Sequence, residues 1–121
     1  MFGPLVQKAV RIPNGASLSA PVALDGGHLL GYISPAAWTA AALTLEATLD
    51  SVEQLAAANV TWRSVFDETG TELVFTVTAN RHQCILAPLD FGAFRTIRLR
   101  SGVVALPVNQ GADRDFILVL R

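Results

Sequence analysis

The sequence predicts an all-β protein, two sheets packed as a β-sandwich or jelly roll with one short helical insertion. Three observations predict it. Alternating apolar and polar runs recur at roughly 8–12-residue spacing with turn residues between them, about nine or ten short strands in all. Residues 42–50, "ALTLEATLD", set Leu43, Leu45, Ala47 and Leu49 on one face against Thr44, Glu46, Thr48 and Asp50 on the other, as a half-buried strand does. The last run, "DFILVLR", is apolar on both faces. Such a strand is central in its sheet or lies under a second covering surface. The expected cover is a subunit contact or a packed N-terminal segment, "MFGPL".

Taken in order, "VQKAVRI" reads as the first strand, and "PNG" turns it, Pro13 fixing φ and Gly15 accepting a left-handed conformation. "SLSAPVAL" alternates through Leu18, Ala20, Val22 and Leu24, and Pro21, which has no N–H, assigns it to a sheet edge or a bulge. "DGG" turns into the strand "HLLGYIS", and "PAAWTAAA" bridges to residues 42–50. Residues 51–58, "SVEQLAAA", carry helical character: Ser51 caps, Glu53 and Gln54 sit in the first turn, and Val52, Leu55 and Ala56 share a face. "VTWRSVFD", the turn "ETG" and "TELVFTVTA" follow, the last with Leu73, Phe75 and Val77 on one side and Thr76 and Thr78 on the other. After the "NR" turn comes the strand "HQCILAP", then "LDFGAF", whose Phe91 and Phe94 are candidates to plug one end of the core. "RTIRLRSG" places Ile97 and Leu99 inward and Thr96, Arg98 and Arg100 outward. "VVALPVNQGADR" is broken by Pro107 and Gly111 before the final strand. With no linker, repeat or low-complexity tract, residues 1–121 read as one domain, residues 1–9 forming a candidate N-terminal arm.

Composition narrows the function classes. Charged residues make up 16% and apolar ones 51% of 121 residues, against roughly 25% charged in an ordinary domain. A surface so short of charge points to cover by copies of the same chain, hence a homo-oligomer, or by another partner. Nine basic and ten acidic residues leave a net charge of −1, which offers no footprint for nucleic acid or an anionic membrane. No apolar run approaches the ~20 residues of a membrane span, and the N-terminus has no signal-peptide pattern, so synthesis in the cytoplasm is expected. The lone Cys84, in "CILAP", reads as a small buried hydrophobe.

Chemistry-bearing patterns are few. His28 and His82 are far apart and in no ligand spacing, so no metal site is expected, and turn-flanking aspartates read as backbone caps. Neither a GxSxG elbow nor a phosphate-cradling glycine loop occurs, and no catalytic residue or cofactor is assigned. Trp38 and Trp62 are candidates for stacking on a sugar ring; for Trp38 the alternative is a lid on the core. Arg98 and Arg100, with Arg95 and Arg114 nearby, are suited to bidentate bonds with carboxylates of a partner, or else form a solvated face.

The stretches "RIPNGASLSAPVAL", "GYISPAAWTAAALTLEATLD", "TWRSVFDETGTEL", "FRTIRLRSG" and "PVNQGADRDFILVLR" resemble a group of short proteins encoded among the virion structural genes of tailed bacteriophages and alphaproteobacterial prophages. The likeness runs from Val10 to Arg121, and "PAAWTAAALT", "IRLRSG" and "VNQGADR" are its distinguishing parts. Where similar sequences pass through a short glycine turn into the tryptophan strand, this chain has "SVEQLAAAN". The resemblance implies a non-enzymatic virion component, most simply a capsid decoration (cement) protein bound to the major capsid protein lattice. Its alternatives are a carbohydrate-binding module of a fibre and a tail or connector component. The contacts expected of a decoration subunit are Phe2 and Leu5 in the arm, Val52 and Leu55 in the insertion, and Arg98 and Arg100 on their strand.

Overall fold

Strand boundaries follow the turn residues closely. The computed structural model describes residues 4–50, 60–85 and 95–121. Among them run β1 (Val6–Ile12), β2 (Val22–Ala23), β3 (Leu29–Ile33), β4 (Ala42–Thr48), β5 (Arg63–Ser64), β6 (Phe75–Thr76), β7 (His82–Cys84), β8 (Thr96–Val103), β9 (Leu106–Pro107) and β10 (Arg114–Leu120). They form two antiparallel sheets, β1-β10-β3-β7 and β2-β8-β4-β5, with β6 also on β4 and β9 folded back on β8. The helix expected over residues 51–58, with Val52 and Leu55, lies outside the described residues, as do Phe2, Phe91 and Phe94.

One core joins the sheets. Period-two alternation aims Val10, Ile12, Tyr32, Phe116 and Leu118 from the first sheet and Val22, Leu43, Leu45, Ile97 and Leu99 from the second into a single buried cluster. Phe116 sits at its centre, edge-on to Tyr32 (6.0 Å between centroids) and to Trp38 (5.3 Å), an arrangement the ring quadrupoles favour. Each fully buried side chain of this size contributes roughly 1.5–3 kcal/mol through removal from water.

Both seams between the sheets are strapped by polar groups. At one, Lys8 reaches from β1 across to the carbonyl of Ala23 in β2 and to the Asp25 carboxylate. At the other, Tyr32 Oη and Gln83 Nε2, from β3 and β7, both donate to the Thr76 carbonyl of β6, at 2.9 and 2.7 Å. An apolar core open at its sides is thereby closed by groups that tolerate water on one side.

The two-faced final strand has a simple explanation. β10 lies inside its sheet, paired with all of β1 (Val6↔Leu120 to Ile12↔Arg114) and with β3. Its outer-face Val119 is only 8% exposed in the lone chain, with Gln7 and Gly31 as its cross-strand neighbours. The strand is thus central in its sheet, the first of the two explanations that its two apolar faces allow. Residues 6–9, expected in the N-terminal arm, belong to β1.

Two irregularities shape the second sheet. Pro21 interrupts the edge beside β8: Leu18 bridges Arg100 and Ser19 N–H donates to Leu99 O at 2.9 Å, whereas β2 resumes only at Val22, opposite Ile97. A residue without an N–H is tolerated on an edge for the reason anticipated. The second irregularity lies along β4. Val65 N–H donates to Leu45 O, and Phe75 stands opposite Leu43, so residues 66–72 leave the sheet between two adjacent rungs and return. That excursion is a hairpin closed by the Phe66–Glu72 bridge. Its tip is held by Asp67, which accepts from the N–H groups of Thr69 (2.8 Å) and Thr71 (3.0 Å), with Gly70 at φ 85°. At the β8–β9 turn Gly102 has φ 94° and lies against Leu106 O, where any Cβ would collide.

Candidate functional site

Two buried polar centres and several exposed apolar side chains are the features from which a function can be built. The first centre lies on the outer face of β8 and β4. Cross-strand register puts Arg98 opposite Glu46 and Arg100 opposite Thr44. Arg98 Nε donates to Glu46 Oε1 at 2.6 Å, and its guanidinium lies 4.4 Å above the Trp62 ring. Arg100 donates to Thr44 Oγ1 (3.0 Å), Glu46 Oε2 (3.3 Å), Ser64 Oγ (3.0 Å) and Glu72 Oε2 (2.9 Å). Glu72 comes from the 66–72 excursion, and the same carboxylate accepts the Val104 N–H at 3.1 Å.

Arg100 points outward from the core as expected, but it is covered. Its side chain is 5% exposed, and Glu72 and Glu46 are 13% and 16% exposed. Alternation within β8 does aim Arg100 away from the core, but the excursion folds back over that face and supplies the counter-charge. A guanidinium so enclosed has its donors committed within its own chain and offers no fork to a partner. Arg98, 24% exposed, is partly covered, with a carboxylate and an indole as neighbours. One face of Trp62 is consequently taken by Arg98, leaving only the other for any sugar ring.

The second centre is built on a neutral amide. Gln110 is 1% exposed. Its Oε1 accepts from Thr39 N–H (2.9 Å) and Arg114 Nε (3.0 Å), and its Nε2 donates to Thr39 O (3.0 Å) and Ser101 Oγ (2.7 Å). Its backbone N–H donates to Ala16 O, and its carbonyl accepts from Gly15 N–H. Through its side chain and backbone together, one residue thus joins the first turn, the segment after Trp38, the end of β8 and the approach to β10. Trp38 itself is half-buried, packed on Phe116, with Nε1 donating to Ala41 O at 3.0 Å. Its indole caps the core, the lid alternative to sugar stacking.

Among the described residues no buried side-chain nitrogen or oxygen lacks a partner, and no group of three His, Cys, Asp or Glu side chains is placed to hold a metal ion. His82 and Cys84 are both exposed on β7. The burial expected of Cys84 is therefore corrected: it is exposed at the end of β7, the last strand in the order of the first sheet among the described residues. Leu5 is exposed at the N-terminal end of the sheet, as a contact residue must be. Other exposed apolar side chains went unsuspected. Leu49, expected to face inward, is 71% exposed just past the end of β4, and with Phe66 it borders a shallow cleft floored by Ala47 and Val65. Val104 and Leu106 project from the β8–β9 hairpin. Among the described residues no helix is long and apolar enough to cross a membrane.

Comparison with models of known protein families, with curated proteins and with solved structures finds no match.

Proposed function

We propose that this chain is a non-enzymatic structural component of a tailed-phage particle, a capsid decoration protein that binds the major capsid protein lattice of the virion. The observation that carries the reading is where the distinguishing phrases meet. Thr39 of "PAAWTAAALT", Ser101 of "IRLRSG" and Gln110 and Arg114 of "VNQGADR" form one buried clasp. Their shared task is to hold loops of a rigid body together, which suits a part whose role is to be built into an assembly.

The strand pairing supports a jelly-roll sandwich as the architecture. β1 pairs β10, β2 pairs β8, β3 pairs β7, and β4 pairs β5 and β6. A long hairpin rolled on itself pairs its strands outermost to innermost in that way, and the contacts of β10 with β3 and of β8 with β4 close the roll. Exposed Leu5, Leu49, Phe66, Val104 and Leu106 supply apolar contact surface at the ends of the strands. A cement subunit makes a modest contact at each of many symmetric positions, and repetition turns it into a firm coat. The test is rebinding: purified protein added to capsids stripped of it should occupy a fixed number of copies per capsomer. Recovery with tails alone, or absence from particles, would overturn the proposal.

The fibre reading, with Trp38 or Trp62 stacking on glycan, has weaker support, since Trp38 caps the core and Arg98 occupies one face of Trp62. Tryptophan fluorescence that shifts on addition of envelope polysaccharide would revive it.

A further inference from the structure

We propose that the free edge of β1 is a docking strand, and that its occupant is β1 of a second copy of this chain, antiparallel across a two-fold axis at Ala9. Edges that end a sheet invite pairing, and proteins ordinarily shorten or interrupt them. Here the other edges are curtailed. β2 has two residues and follows Pro21, β7 has three, and β5 has two before the excursion. β1 has seven residues and no proline. Alternate residues of an antiparallel strand turn their N–H and C=O away from the existing partner. Among the described residues, no backbone group of β1 has a partner beyond the ladder with β10. The strand is open to solvent as well, with Val6, Gln7, Ala9 and Arg11 all exposed.

An inward-pointing charge on an edge strand would normally discourage a neighbour, and Lys8 is such a residue. Its ammonium, however, is already bound to Ala23 O and to Asp25 across the seam. A neighbouring strand would therefore meet a compensated charge.

Self-pairing is favoured by the sequence of the strand. A two-fold axis at Ala9 sets Lys8 opposite Val10, Gln7 opposite Arg11 and Val6 opposite Ile12 of the second copy, so no cation faces a cation. Moving the axis to Lys8 would place Lys8 against Lys8 of the second copy. With the axis at Ala9 the same patch serves both copies, as a closed two-fold interface requires. The joined sheets would also run together the outer-face residues Ala9, Ile117 and Val119 of both chains.

The interface rests on strand geometry and not on the capsid assignment: a dimer with no affinity for capsids would sink that assignment and leave this one standing. The experiment is sedimentation of the intact chain across a range of concentrations, with cysteine cross-linking in a Cys84→Ser background. Facing Ala9 residues would lie about 4.5–5.5 Å apart between Cα atoms, within reach of a disulfide. Ala9→Cys should therefore become a linked dimer under mild oxidation, while Leu106→Cys, also exposed but on the β8–β9 hairpin, should stay largely monomeric. A chain monomeric at every concentration would overturn the proposal. So would a dimer that cross-links through Leu106→Cys and not through Ala9→Cys.

Discussion

The Arg100 centre and the Gln110 centre perform the same task, one through a guanidinium between two carboxylates and the other around a neutral amide. Both are buried polar groups that tie distant segments to β8: Arg100 and Glu46 meet the 66–72 excursion through Glu72, and Gln110 gathers the first turn, residue 39 and the approach to β10. The charged centre draws its strength from pairing two carboxylates with guanidinium, at the cost of taking ions from water; a neutral amide desolvates more cheaply and binds more weakly. The difference teaches where each can be used. An ionic cluster fits the outer sheet face, where Glu46 and Glu72 retain some contact with water. The 1%-exposed Gln110 site admits an amide.

The largest break in that comparison is Arg100→Met. Removing the guanidinium strands Glu72, while Glu46 keeps Arg98, so a loss of about 3 kcal/mol is expected, at the low end for a broken buried pair. Urea denaturation measures it. The double variant Arg100→Met with Glu72→Leu should recover most of that loss, because no uncompensated ion remains. A double variant no more stable than the single one would contradict the charge explanation.

Gln110→Leu should cost less, about 2 kcal/mol, since it leaves hydrogen-bonding groups at Thr39 and Ser101 unpaired and takes one acceptor from Arg114, whose guanidinium keeps Thr39 Oγ1. Faster amide hydrogen exchange at Thr39 would show the loss locally.

Smaller still is Tyr32→Phe, about 1 kcal/mol, because the Thr76 carbonyl keeps its bond from Gln83. Burial pushes the Tyr32 hydroxyl up to about 12 from 10.0. With a single tyrosine in the chain, absorbance titration reads it directly. The folded state holds this proton more tightly than the unfolded chain, so the associated stability is complete below about pH 10 and is lost as pH rises from there through about 12.

Least of all should come from the exposed carboxylates. Asp67, hydrogen-bonded by Thr69 and Thr71, and Asp115, hydrogen-bonded by Arg11, are held below the usual 3.8. Their contribution is present above that value and fades as pH falls through the depressed range. NMR titration of the two carboxyl groups should place their midpoints below that of a free aspartate, with little effect on unfolding near neutral pH.

Much of this was legible in advance where an element's surroundings repeat with its own period. Leu43, Leu45, Ile97 and Leu99 face the core because alternate positions on a half-buried strand must, and Pro21 marks an edge because it lacks a donor. Cys84 and Leu49 were misread for one reason: each lies where a strand has just ended or is about to, and alternation stops predicting burial there.

The sequence by itself determined the β class, the turns and the inward face of each long strand, since those depend on residues a few positions apart. Only the tertiary structure decided that Arg100 is enclosed, that the apolar last strand lies between β1 and β3, and that Gln110 clasps three segments. Each of those depends on which distant stretch of chain comes to lie alongside, and period-two alternation records only that a face is covered or open, never by what.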